Sequence, residues 1–131
     1  YCPMKSQLSI EFLVMSIFAL ITFIVFVKVI IEKNNDINLY RQQSEARKIA
    51  DTIAASINQV YEAGDGTTKA VNLPYTILGE SAYTMVVTHN LVEIKWNSQH
   101  LTTPVVIAAM QGSLHTGSNT ITYENETIYL N

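Results

Sequence analysis

The residue types that most often do chemistry are few in this chain and poorly spaced for it. The three histidines, His89, His100 and His115, stand at separations that form no metal-ligand pattern. Ser98, Ser113 and Ser118 lie in no nucleophile-elbow motif, and no ordered Ser, His and Asp set can be assembled around them. "GDGTTK" at 64–69 lacks the phosphate-loop spacing and follows a helical pattern, so it reads as a helix cap and loop. The acids are dispersed and offer no paired-carboxylate site. A single cysteine, Cys2, excludes an internal disulfide and a CxxC centre. These patterns lead to no enzyme, no metal and no cofactor. One acid stands out for a different reason.

Glu11 sits at the mouth of an apolar run that holds no other acid until Glu32. Residues 12–31 carry one charge, Lys28, and two hydroxyls, Ser16 and Thr22. At about 1.5 Å per residue, a helix of this length spans roughly 30 Å, the thickness of a bilayer's hydrocarbon core. It is apolar on every face, so it is no surface amphipath. A carboxylate in such a place costs about 2.5–3.5 kcal/mol or more mid-bilayer, and such residues are normally paired or functional. Glu11 needs a cation.

The elements around it follow from periodicity. No glycine falls between Tyr1 and Ala63, and no proline between Pro3 and Pro74. Ala46, Ile49, Ala50, Ile53, Ile57, Val60 and Tyr61 recur on one helical face, with Arg47, Lys48, Asp51, Thr52, Ser56 and Asn58 between them. The pattern predicts one long helix over 7–63, apolar over 12–31 and amphipathic over 36–63, stopped at 64–66 by two glycines. "KNNDIN" at 33–38 is its weak link, since Asn and Asp compete with helical hydrogen bonding and leave room for a kink or melted turn. All four Phe lie within the first 26 residues, whereas the single Trp and six of seven Tyr lie beyond. Hydrocarbon and then water are written into the composition.

From Thr67 the period becomes two. "KAVNL", "YTMVVT", "LVEIKW", "VVIAA", "NTITYE" and "TIYL" predict four to six short strands. "THNL" and "YENET" predict hairpin turns. The amphipathic face from Ala46 to Tyr61 is the natural cover for so small a sheet. The expected fold class is α+β: a lollipop with a long helix whose distal half packs on an antiparallel sheet, with 64–131 as its head. A net charge of −3 with eight scattered Lys and Arg provides no basic stripe, which argues against nucleic acid.

"QLSIEF" at 7–12 matches the Q-x-S-x-E-F pattern, and with Lys5 before it and the apolar helix after it the chain resembles archaeal type IV pilin-like proteins with class III signal peptides. The second half, with "VYEAGDG", "VNLPYTILGESAYTMVV" and "GSNTITYENETIYLN", is similar by pattern. The resemblance implies that residues 1–6 are a leader, cut by a prepilin peptidase between Ser6 and Gln7. It also implies that Glu11 sets register by pairing with a free N-terminal amine, commonly a neighbour's. Where the leader stays, Lys5 is the substitute partner, with Ser9 able to hydrogen-bond nearby. The filament core would be built from 12–31, with Phe12, Val14, Met15, Phe18, Ile21, Phe23, Phe26 and Val27 as packing residues. The partners implied are the chain itself, the peptidase, the pilus assembly machinery, and the cytoplasmic membrane before assembly. The implied product is an extracellular filament, used for adhesion.

Asn125, in "NET", heads the only N-glycosylation sequon, within the second expected turn. Two other readings compete with the filament subunit. One is a single-pass anchored binding domain, or a minor tip subunit outside the filament bulk; the other is an enzyme on a membrane anchor, for which no catalytic constellation can be named.

Overall fold

A computed structural model describes residues 4–131 apart from Ile107, with side chains described from Ser9 onward. The first element, α1 (Met4–Ala63), is a single 60-residue helix. Residues 33–38 are helical throughout, so the weak link at "KNNDIN" does not melt and the helix runs on as one element. The chain divides into two compact units, Tyr1–Leu39 and Tyr40–Asn131, and the boundary falls inside α1. The second unit thus takes in the distal part of α1 together with residues 64–131. The reason is burial: Ala46, Ile49, Ala50, Ile53, Ala54, Ile57 and Val60 sit in the head's core, so this part of the helix folds with the strands.

Seven strands follow: β1 (Thr67–Leu73), β2 (Thr84–Thr88), β3 (Leu91–Trp96), β4 (Gln99–Pro104), β5 (Ala109–Gly112), β6 (Gly117–Glu124) and β7 (Thr127–Leu130). They form two sheets, one of order β1-β6-β7-β5 and one of order β2-β3-β4. All pairs are antiparallel except β5 with β7, which is parallel with Met110 opposite Ile128. The expected α+β class, one long helix and then a small, mainly antiparallel sheet region, is what the structure has. The single sheet of four to six strands is replaced by two sheets.

Alternation explains which faces are buried. Val92, Ile94 and Trp96 on β3 turn inward, while Leu91, Glu93 and Lys95 face outward. Val71 and Leu73 on β1, Ile121 on β6, and Ile128 and Leu130 on β7 complete one core shared by helix and both sheets. Fully burying each of these aliphatic side chains contributes about 1.5–3 kcal/mol. Two-residue turns with positive φ close two hairpins: Asn97 and Ser98 between β3 and β4, Asn125 and Glu126 between β6 and β7. The third, His89–Asn90, lies between β2 and β3 as "THNL" predicts.

One strand assignment moves. The pattern of "VVIAA" at 105–109 predicts a strand, but the described part of 105–108 is irregular, and the flanking strands are "QHLTTP" and "AMQG". As an edge strand, β4 hides only one face, through Gln99, Leu101 and Thr103, so it needs no apolar run. The 105–108 segment is instead stitched crosswise. Val105 N–H donates to Asn90 O, Ala108 N–H to His89 O, and Val106 N–H to Asn58 Oδ1.

Candidate functional site

The candidate site is the surface of α1 ahead of the head. Its apolar side chains are exposed all round, from Phe12 (75%) and Met15 (71%) to Val27 (38%). Val14, Phe18, Ile21, Phe23 and Phe26 share that exposure, as do Ile10, Leu13, Ile17, Leu20, Ile24 and Val25. Ser9–Ala63 contains a stretch long and apolar enough to cross a membrane. Monomers in water rarely expose apolar patches beyond a few hundred Å², and burying this many large side chains is worth on the order of tens of kcal/mol. The stretch is compatible with a transmembrane helix.

The hydroxyls in this surface need no outside partner. Ser16 Oγ donates to Phe12 O at 2.8 Å, and Thr22 Oγ1 to Phe18 O at 2.9 Å. Each bonds one turn back along its own helix, which satisfies these two hydroxyls in a dry environment. Spacing alone does not announce these bonds, although the i−4 carbonyl is available to any Ser or Thr inside a helix. What remains polar is charge: Glu11 and Lys28, the only two charged residues between Ser9 and Ile31. Among the described residues neither forms an ion pair. Glu11 borders a shallow apolar hollow with Ile10, Val14 and Met15.

The processing and register residues are described unequally. Ser9 is exposed on the first turns of α1. The side chains of Lys5, Ser6 and Gln7 lie outside the described residues, as does Cys2, and with them the Ser6–Gln7 cleavage site and the amine expected beside Glu11.

The head offers little for chemistry. His89 and His100 are exposed on separate elements. His115 Nε2 lies 3.4 Å from Ser113 Oγ at the surface, with no carboxylate among its hydrogen-bond partners. Among the described residues no group of three or more His, Cys, Asp or Glu is placed to hold a metal ion. A hollow of about 560 Å³, wide open, is lined by residues including Tyr83, Glu93, Lys95, Trp96, Gln99 and His100. Lys95 Nζ is 3.2 Å from Glu93 Oε2 there, a partly exposed pair worth about 0–1 kcal/mol. Asn125 stands at the exposed tip of the β6–β7 turn, its backbone N–H donated to Asp65 Oδ1 at 2.6 Å. Comparison with known protein families, curated proteins and solved structures finds no match to this chain.

Proposed function

We infer that the chain is a structural filament subunit, similar to archaeal type IV pilins, that polymerises through the apolar part of α1. The observation that carries this reading is an apolar helix surface exposed on all sides, with hydroxyls satisfied internally and one acid at its mouth. A lone anchor requires only a lipid-compatible surface and has no use for Glu11. A packed bundle of stems uses the carboxylate to fix register, because a misplaced neighbour leaves charge unpaired in an apolar core. Moving from membrane to filament keeps the apolar stems out of water, since they then cover one another.

In this reading a prepilin peptidase cuts between Ser6 and Gln7, the head faces outward as the adhesive surface, and Asn125 offers a glycosylation sequon on an exposed turn. The deciding experiment is mass spectrometry of the N-terminal peptide in filaments sheared from cells that make this chain. The expected result is a chain starting at Gln7 in the filament fraction. Its retention in membranes, with none in filaments, would replace this reading with the anchored-domain one.

A further inference from the structure

We propose that the hollow beside the β3–β4 turn of the head binds a neutral saccharide. Among the described residues, three buried side-chain polar atoms have no hydrogen-bond partner. Two of them, Trp96 Nε1 and Gln99 Oε1, belong to residues that line this one hollow. Buried polar atoms are satisfied in the great majority of cases, so two exceptions at one place call for a partner. The two are complementary. Trp96 and Gln99 stand directly opposite each other on β3 and β4, and they offer one donor and one acceptor. A hydroxyl answers both at once, accepting from the indole N–H and donating to the amide oxygen. An anion would satisfy Trp96 and be repelled by Gln99, whereas an ammonium group would do the reverse.

The rest of the lining fits the same ligand class. Lys95 Nζ lies 3.2 Å from Glu93 Oε2, so the two charges offset each other and leave no surplus to select an ion. Thr84 and Ser98 add hydroxyls, and Tyr83 and Trp96 add ring surface for the C–H faces of a sugar. The walls are held in place. Asn97 Nδ2 donates to Ser81 Oγ at 2.8 Å, which ties the β3–β4 turn to the segment before β2, and the Tyr83 hydroxyl donates to Pro74 O. Such fixing lowers the entropy cost of binding. Gln99 is only half-buried, so its flexible side chain can turn to meet the ligand. A volume of about 560 Å³ falls within the roughly 300–1,000 Å³ of small-molecule sites, and the open mouth admits one unit of a longer chain. Every residue of the site lies in the second unit, so it serves a filament subunit and an anchored domain alike.

The test uses the full chain in a detergent whose headgroup carries no sugar, titrated with cellohexaose, mannohexaose and chitohexaose. Trp96 is the single tryptophan, so its fluorescence reports on the site directly. A saturable change with at least one of the three, equal at low and high salt, is the expected result. Gln99→Leu, a mild change on an edge strand, should raise the half-saturation concentration about tenfold, the factor of one lost hydrogen bond. Trp96→Phe, followed by calorimetry because the reporter is gone, should weaken binding by a similar factor. No saturable change with any of the three sugars would overturn the proposal, as would binding that neither substitution weakens. Preference for dextran sulfate, lost at high salt, would overturn it too, since charge and not hydroxyl pairing would then select the ligand. Sugar binding by a chain that never leaves the membrane would keep this site and remove the filament reading; filaments that ignore all three sugars would do the opposite.

Discussion

Asn58 Oδ1 accepts a hydrogen bond at 2.9 Å from the backbone N–H of Val106, forty-eight residues away. This contact ties α1 to the irregular segment that carries the chain from one sheet to the other. Replacing Asn58 with Leu leaves a partly buried N–H without an acceptor, which costs about 1–3 kcal/mol. Unfolding of the full chain in detergent, followed by fluorescence of the single Trp96 buried in the core, should show that loss. An unchanged midpoint would mean water replaces the carbonyl without penalty.

Gly112 ends β5 with φ of +92°, and a Cβ there would lie 1.9 Å from the backbone oxygen of Leu130. The clash is with main chain, so no side-chain rotation relieves it. Gly112→Ala should destabilise the head by about 3 kcal/mol or more, and should detach β5 from β7 first. Hydrogen exchange at Met110 and Gly112 is the local check; unaltered protection would refute the close approach.

Asn119 is buried and holds the loop before β6 closed. Its Oδ1 accepts from His115 N–H at 2.8 Å, and its Nδ2 donates to His115 O at 2.6 Å and Gly117 O at 3.0 Å. Asn119→Ala should cost about 2–3 kcal/mol through the stranded groups. Asn119→Asp keeps the acceptor but loses both donors and buries a charge, so it should be no better than alanine. Denaturant midpoints of the two variants decide the order.

Burial pushes the Tyr83 phenol above its ordinary value of 10.0, and its hydroxyl donates to the Pro74 carbonyl. Tyr123 is raised as well, by desolvation first and then by Tyr61, Glu126 and Asp65. A folded state that holds its proton longer has its full advantage below the unfolded value of about 10. It loses that advantage as pH rises through the folded value. The difference in stability between the parent chain and Tyr83→Phe should therefore be constant from pH 8 to 9 and shrink above pH 10. A difference that stays constant at high pH would show that Tyr83 ionises as freely in the folded chain as in the unfolded one.

The sequence by itself determined what depends on neighbours a few residues apart. The apolar run at 12–31, the 3.6-residue stripe from Ala46 to Val60, the glycine stop at Gly64 and the "THNL" and "YENET" turns appear where spacing placed them, whereas Tyr61, the last member of that stripe, is exposed. Each is decided by local sterics and by which face can be buried. Tertiary structure alone decided the rest. The parallel pairing of β5 with β7, the split into two sheets, and the edge strand "QHLTTP" depend on partners far along the chain. Ser56 and Asn58 were grouped with the polar side of the helix, yet Ser56 is buried and Asn58 anchors Val106. Spacing cannot foresee this, because a polar side chain at the edge of a stripe turns inward only when a distant backbone group arrives to meet it.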